Sequence, residues 1–313
     1  MSTTLSKGDT TLGVIGLGLM GSRFLRRLNA EGWNVRGWNR NEKVTLTLTE
    51  YGFQIETTLA GLVDGSEVLI SSLADDAAVE AVYLGEDGVF ANVRPETIIL
   101  EMSTISAGLS DILHEEATKR GAYLIDLAVS GSTPAVEAGT VTLFAGGDQE
   151  VFIRCVPIFE SVAKRWFLMG PATAGIRMKL VVNLLLGIGM EAIAEAVSLG
   201  EHLKLDRDLL LDVLPKTAVV APAFSGKFAK IRSADYSPQF PLHLMAKDLG
   251  LAETAAEESG AELPTGHATR CAFEEALAKS GELDISAIAS ALRTLEIGKE
   301  EAGSTLAANR CGR

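Results

Sequence analysis

The sequence predicts an α/β fold in which a mostly parallel sheet domain is followed by an all-α domain. Strand and helix patterns alternate between residues 12 and 162, whereas only helical periodicity is present after Gly170. A βαβα order gives a parallel sheet with helices on both faces. We therefore expect one domain at 1–172 and a second at 173–313, with a long interdomain helix leading the second.

Local patterns predict each element in turn. Short apolar runs bounded by turn residues predict strands at 12–15, 34–38, 67–71, 97–101, 122–126 and 140–145. Amphipathic stretches between them predict helices at 20–30, 75–83, 107–120 and 148–162. The second half predicts helices at 173–203, 206–216, 241–260, 264–281 and 284–296. Asp206 and Asp284 are suited to cap helices, and Pro264 suits a first helical turn.

Composition excludes several classes of function. The 313-residue chain is 47% hydrophobic and carries a net charge of −13, with no Lys/Arg-rich run, which argues against non-specific nucleic-acid binding. No metal-ligand spacing is present. The three cysteines are scattered and no apolar leader precedes the first strand, so we expect a cytoplasmic protein. Polar residues at 183, 191 and 195 interrupt the apolar stretch 180–199, which favours a buried helix over a membrane span.

The N-terminal strand leads into a glycine-rich turn, residues 13–21, with glycines at 16, 18 and 21. Gly16 permits a tight turn, Gly18 lets a pyrophosphate approach the backbone, and Gly21 lets the next helix pack closely. The helix N-terminus favours an anion because its first N–H groups have no internal partner. This context predicts a Rossmann-type dinucleotide site formed by the residues Gly16, Leu17, Gly18, Leu19, Met20 and Gly21.

The end of the second strand predicts which dinucleotide is bound. A carboxylate at this position accepts hydrogen bonds from the ribose hydroxyls of NAD, but this chain has Asn39 followed by Arg40. A guanidinium suits a 2′-phosphate, and the missing carboxylate removes a repulsion. We therefore expect NADP(H) as the cofactor. The ends of later strands bring Leu73, Ala74 and Thr104 towards it.

Three further stretches carry residues that can do chemistry. The first contains Ser130, Gly131 and Ser132 after a buried strand, and such a loop can present N–H groups and hydroxyls to a carboxylate. The second has Lys179 and Asn183 four residues apart, so that they share one helix face. The third contains Lys247 beside Asp248. Taken singly, these features also fit an ordinary turn, an outward lysine and a solvated ion pair.

In this order the four stretches resemble the β-hydroxyacid dehydrogenase family over nearly the whole chain. Residues 13–21 resemble its cofactor motif, 126–147 its substrate-binding motif, 175–183 its GxxxKxxxN catalytic helix, and 247–248 its second cofactor motif. Within the family, the chain most resembles the NADPH-dependent glyoxylate/succinic semialdehyde reductases. It departs from them at 133–138, where those enzymes often carry a second lysine and an acidic pair.

The resemblance implies a reductase of small carbonyl acids. Ser130, Gly131 and Ser132 would bind the substrate carboxylate, Lys179 would act as general acid or base, and Asn183 would orient the substrate. Thr104 and Lys247 would hold the nicotinamide end of NADPH. Alternatives stay open: an imine reductase, which resembles this architecture with Asp or Tyr at the lysine position, an NAD-dependent 3-hydroxyacid (3-hydroxyisobutyrate-type) dehydrogenase, or a non-catalytic dinucleotide-sensing or chromatin-associated module. The long apolar helix also predicts a homodimer or homotetramer.

Overall fold

A computed structural model of the chain describes residues 4–290. The chain divides into two compact units, one ending at Leu180 and the other beginning at Val181. The division falls inside a single long helix, eight residues beyond the domain boundary expected from the sequence. Each unit is described separately below.

The first unit contains an eight-stranded sheet within the described residues. Its strands, in chain order, are β1 (Thr11–Ile15), β2 (Asn34–Trp38), β3 (Gln54–Ile55), β4 (Val68–Ser71), β5 (Ile98–Glu101), β6 (Tyr123–Ser130), β7 (Val141–Gly146) and β8 (Ala163–Gly170). The spatial order is β3-β2-β1-β4-β5-β6-β7-β8. All neighbouring pairs are parallel except β6 and β7, so β7 and β8 run opposite to the rest.

Helices connect the strands of this unit. They are α1 (Gly21–Ala30), α2 (Glu42–Glu50), α3 (Leu59–Asp64), α4 (Asp76–Tyr83), α5 (Val89–Asn92), α6 (Ala107–Lys119), α7 (Thr133–Glu137) and α8 (Gln149–Val162). Side chains of Asn41, Thr58, Asp75, Ser106 and Asp148 cap five of them by accepting backbone N–H groups. The predicted mostly parallel α/β domain is therefore confirmed.

The core of the first unit lies between the sheet and its helices. Leu12 and Val14 of β1 are fully buried with Phe24 and Leu28 of α1, whose spacing of four residues places them on one helix face. This packing fixes α1 against β1, and therefore fixes the loop that joins them.

The second unit is helical within the described residues, as the sequence predicts. The long helix α9 (Ala174–His202) enters it and is followed by α10 (Arg207–Val213), α11 (Ser225–Ser233), α12 (Leu242–Ser259) and α13 (Pro264–Ser280). Short 3₁₀ turns occur at Leu214–Lys216, Pro222–Phe224 and Ile285–Ala287. Asp206 and Asp284 cap α10 and the last turn, and Pro264 occupies the first turn of α13, as predicted.

Helix α9 is long and apolar enough to cross a membrane by length and composition alone, which is weak evidence because core helices of soluble proteins share these properties. Met190, Ala194 and Val197 on one face are buried in the core of the helical unit. Val181, Leu185 and Leu199 on the same helix are more than half exposed.

Several elements differ from the sequence predictions. The strand predicted at 122–126 continues to Ser130, because residues after Asp126 pair antiparallel with β7. Strand β8 was not predicted, since it pairs only with β7 and its mostly uncovered side chains give no clear apolar alternation. Helix α11 was missed because its apolar periodicity is weak. The helix predicted at 284–296 extends beyond the described residues.

Candidate active site

The glycine-rich loop joins β1 to α1 as the sequence predicts. Gly16 has φ +85°, a backbone conformation that side chains rarely tolerate, and a Cβ at Gly21 would overlap the Gly16 carbonyl oxygen. A Cβ at Gly18 would meet nothing within 4 Å. The N–H groups of Leu19, Met20 and Gly21 donate to no acceptor in the described chain. The loop is therefore closely packed at Gly16 and Gly21 but open beside Gly18. An anion-binding turn requires this combination, because an anion must reach the free N–H groups.

Asn39 braces this loop from the end of β2. Its Oδ1 accepts a hydrogen bond from Leu17 N at 2.9 Å, and the Trp38 carbonyl accepts one from Gly16 N at 3.0 Å. Arg40 is exposed next to it, and no described residue accepts a hydrogen bond from its guanidinium. Asn39 thus shapes the loop, while Arg40 is available to an external anion.

The loops after β4 and β5 are tied together behind this turn. Leu73 N donates to Ser103 Oγ at 2.8 Å, and Ser103 N donates to Glu101 Oε1 at 2.7 Å. The Leu73 side chain also lies against Gly16, so this segment, which leads into Ala74, adjoins the glycine-rich loop. Thr104 follows Ser103 and is half-buried. The sequence predicted that Leu73, Ala74 and Thr104 lie at this edge of the sheet. It gave no role to Glu101.

Glu101 is a buried carboxyl group at the carboxyl end of β5. Ser71 Oγ donates to its Oε2, and Tyr83 Oη donates to Ser71 Oγ at 2.6 Å. Burial raises the pKa of Glu101 above its ordinary value, and burial followed by the nearby Glu101 charge raises the pKa of Tyr83. This network holds the two loops at a fixed separation.

Strand β6 ends in the predicted substrate loop. Ser130 is its last residue, Gly131 has φ +148°, and Ser132 precedes α7 without capping it. Among the described residues, the hydroxyls of Ser130 and Ser132 have no hydrogen-bond partner. The loop therefore places two hydroxyls without a described hydrogen-bond partner on either side of a glycine, whose backbone conformation a residue with a side chain rarely adopts.

The segment that departs from the reductase pattern, residues 133–138, mostly forms α7. Its acidic residue Glu137 pairs with Arg23 Nε at 2.8 Å, and the same guanidinium donates to the Leu19 carbonyl at 2.7 Å. Glu137 is thus bound to the helix of the glycine-rich loop.

Lys179 lies in the second turn of α9 and is half-buried. Its Nζ donates to the carbonyl oxygen of Val129 at 2.6 Å, immediately before Ser130. The ammonium group and the two uncommitted hydroxyls are therefore at the same end of β6. An ammonium beside hydroxyl and N–H donors can bind a carboxylate and supply a proton to a neighbouring oxygen.

Asn183 and the Lys247–Asp248 pair belong to the helical unit. Asn183 is 1% exposed, and its Nδ2 donates to Asp248 Oδ2 at 2.5 Å, while its Oδ1 is buried without a partner in the described chain. Lys247 Nζ lies 3.0 Å from Asp248 Oδ1. The structure thus brings Asn183, Lys247 and Asp248 together. The sequence signalled Asp248 only as the neighbour of Lys247, and nothing in it indicated that Asp248 fixes the Asn183 amide.

Comparison with known proteins identifies the class of protein to which the chain belongs. Residues 11–170 match the family model of the NAD-binding domain of 6-phosphogluconate dehydrogenase, and residues 173–292 match that of the NAD-binding domain of NADP-dependent 3-hydroxyisobutyrate dehydrogenase. The two matches define an NAD(P)-dependent oxidoreductase. The chain belongs to the β-hydroxyacid dehydrogenase family, which confirms the resemblance seen in the sequence.

Individual relatives cover most of the chain. It is 32% identical to glyoxylate/succinic semialdehyde reductase 1 of Arabidopsis thaliana, over 90% of this chain and 98% of that protein. It is 34% identical to an NAD-dependent L-serine dehydrogenase of Pseudomonas aeruginosa, over 80% and 87%. The solved structure of a Mycobacterium tuberculosis 3-hydroxyisobutyrate dehydrogenase with L-serine is similar at a TM-score of 0.78, with 30% identity, over 91% and 99%.

Proposed function

We propose that the protein is an NADPH-dependent reductase of small carbonyl acids of the glyoxylate and succinic semialdehyde type, with Lys179 as the general acid. The observation that carries this proposal is the hydrogen bond from Lys179 Nζ to Val129 O at 2.6 Å, next to the uncommitted hydroxyls of Ser130 and Ser132. This arrangement puts a proton donor beside a carboxylate-binding loop. The similarity to an Arabidopsis reductase of that name supports the substrate class.

The residues present fit a dinucleotide with a 2′-phosphate. Leu19, Met20 and Gly21 carry N–H groups with no described acceptor, and the space in front of Gly18 is open, which suits a pyrophosphate. Arg40 would bind the 2′-phosphate, which an aspartate at this position would repel. The description of the second matching family as NADP-dependent agrees with this preference.

The chain's own residues would position the substrate and move the proton. The bound nicotinamide supplies hydride. Ser130 and Ser132 would donate their hydroxyls to the substrate carboxylate, which fixes the carbonyl group near Lys179. The Lys179 ammonium would give a proton from Nζ to the carbonyl oxygen as negative charge develops there, and the neutral amine would take it back in the oxidation direction.

Asn183 would orient the substrate one helical turn beyond Lys179. Asp248 takes one of its two amide hydrogens, which fixes the rotamer and leaves the second hydrogen and Oδ1 for a ligand. A buried amide oxygen without a partner is costly, so a bound hydroxyl would relieve that cost. Lys247, which is paired with the same Asp248, would hold the nicotinamide end of the cofactor, as the resemblance to the family implies.

The proposal is tested by following NADPH oxidation by the purified protein with glyoxylate, succinic semialdehyde and a neutral aldehyde of similar size. We expect turnover of the two acids and much weaker turnover of the neutral compound, because the serine loop has no carboxylate to bind in it. Equal rates with the neutral aldehyde, or no turnover of either acid, would contradict the proposed substrate class.

A second candidate is an NAD-dependent 3-hydroxyacid dehydrogenase, favoured by the identity to an NAD-dependent L-serine dehydrogenase. Titration of the protein with NADH and NADPH side by side separates the two. Tighter binding of NADH, together with oxidation of L-serine or 3-hydroxyisobutyrate, would select this candidate. A cyclic imine added to the substrate panel tests imine reduction in the same experiment.

We also propose that the helical unit binds a second copy of the chain, giving a homodimer or homotetramer. Val181, Leu185 and Leu199 of α9 are 55%, 67% and 61% exposed. Apolar surface of this kind on one long helix favours burial in an oligomer. Light scattering should therefore report at least a dimer for the wild-type protein. The Leu185→Glu variant should have a lower mass in solution, because the substitution weakens the association. A dilute wild-type monomer would contradict this.

A further inference from the structure

Asp126 is a completely buried carboxylate, and two of its three hydrogen-bond partners lie at the start of helix α9. It lies within β6, and its Oδ2 accepts Thr173 N at 2.7 Å while its Oδ1 accepts Ile176 N at 2.8 Å. His114 Nε2 lies 3.1 Å from Oδ2 and donates to it when protonated at that nitrogen. Both oxygens are therefore committed, and two of their three partners are backbone N–H groups at the N-terminus of α9.

This is a capping arrangement made by a strand rather than by the helix itself. The first N–H groups of a helix have no internal acceptor, and a negative charge there is favoured by the helix dipole. A Cβ at Gly175 would lie 2.5 Å from the Phe144 carbonyl oxygen and 2.7 Å from Asp126 Oδ1, so the helix meets the sheet with no intervening side chain. Thr173 itself has φ +71°, a strained conformation for a residue with a side chain.

The same strand also holds Lys179. Three residues beyond Asp126, the carbonyl of Val129 accepts the Lys179 ammonium at 2.6 Å. Strand β6 therefore fixes the first two turns of α9 at two places, first through a side chain at the helix start and then through a backbone oxygen at the lysine. A shift of the helix start would move Nζ relative to Ser130.

We propose that Asp126 is a positioning residue for the reaction, whose carboxylate locks the first turn of α9 to β6 and thereby sets the Lys179 ammonium against the substrate loop. This rests on the proposed role of Lys179. Asparagine cannot replace it, because an amide presents an N–H group to one of the two backbone N–H donors that Asp126 now accepts. The pair of hydrogen bonds needs two acceptor oxygens.

The test is Asp126→Asn in the full chain, with Asp148→Asn as the matched control. Asp148 caps α8 with 2.8 Å and 3.0 Å hydrogen bonds from Glu150 N and Val151 N, and α8 carries no residue of the proposed site. We expect Asp126→Asn to lower kcat by roughly 10- to 100-fold, because small displacements of a catalytic group have effects of that size. KM and NADPH affinity should stay within about threefold, and the basic limb of the pH–kcat profile should move.

Asp148→Asn should leave kcat and its pH profile at the wild-type values, because the asparagine Oδ1 can still accept both N–H groups that Asp148 Oδ1 accepts now. A folded Asp126→Asn variant with wild-type kcat and pH profile would overturn the proposal, as would equal kinetic losses in the two variants. If Asp126→Asn does not fold, His114→Leu removes one donor to the same oxygen and should lower kcat by about threefold with an unchanged KM. Wild-type kinetics in that variant would likewise overturn the proposal. Failure of the wild-type protein to turn over any carbonyl acid would instead refute the proposed function.

Discussion

Replacing Glu191 by glutamine should make the protein more stable at alkaline pH and remove part of its pH dependence. Glu191 lies on α9, is only 8% exposed, and its Oε2 has no hydrogen-bond partner in the described chain. Burial, and then the negative charges of Glu195 and Glu275, raise the pKa of this carboxyl to about 7.

The size of the effect follows from the shift in pKa. The unfolded chain releases this proton near the ordinary value of 4.5, whereas the folded chain keeps it up to about 7. The folded state therefore binds more protons between these values, so the free energy of unfolding falls as pH rises through the interval. A shift of this size corresponds to about 3 kcal/mol in total, at about 1.4 kcal/mol per pKa unit.

Chemical unfolding of wild type, Glu191→Gln and Glu262→Gln at about pH 5 and about pH 8 measures this contribution. Glu262 is exposed and serves as the matched control. Glu191→Gln should gain roughly 2–3 kcal/mol over wild type between the two pH values, and the control should gain nothing. An equal difference at both pH values, or a Glu191→Gln protein less stable than wild type at the higher pH, would refute the reasoning.

Three further outcomes are expected. Gly18→Val should weaken NADPH binding by at least about tenfold with little loss of stability, because the added side chain fills open space where the pyrophosphate approaches; calorimetric titration and a thermal melt measure both. Arg40→Ala should weaken NADPH binding but not NADH binding, and parallel loss of both would contradict the 2′-phosphate assignment. Asp284→Asn should destabilise the protein by about 3–5 kcal/mol, because it leaves the Lys227 ammonium, now 2.8 Å from both carboxylate oxygens, buried without its counter-ion. Burial alone would raise the pKa of Asp284, but Lys227 and Ser286 hold it below its ordinary value, so this contribution is lost on acidification, and a urea titration at neutral and acid pH should detect it.

Features encoded by neighbouring residues could be predicted from the sequence. The glycine spacing at 16, 18 and 21 specifies the turn itself, since the structure shows a steric requirement for glycine at Gly16 and Gly21 and open space beside Gly18. Asp206 and Pro264 act within one helical turn of their own positions, and both were predicted correctly. The alternation of strand and helix patterns likewise predicted the parallel sheet, because each pattern is encoded by neighbouring residues.

Contacts between distant polar residues had no such local pattern. Asn183 meets Asp248 across 65 positions, and Asp126 meets Thr173 across 47. The sequence gives no sign of these pairings, because only the fold brings the two partners together. Strand β8 was not predicted for a related reason. It is defined by its pairing with β7 and not by a pattern in its own side chains.

The proton-donating role of Lys179 is tested most directly by comparing Lys179→Ala with Lys164→Ala, which removes an exposed lysine from β8. The measurement is single-turnover oxidation of bound NADPH by glyoxylate or succinic semialdehyde, with NADPH affinity determined separately. We predict that Lys179→Ala loses at least about 10²-fold in rate while still binding NADPH, and that Lys164→Ala behaves like wild type. An undiminished rate in Lys179→Ala would contradict the assignment of the general acid.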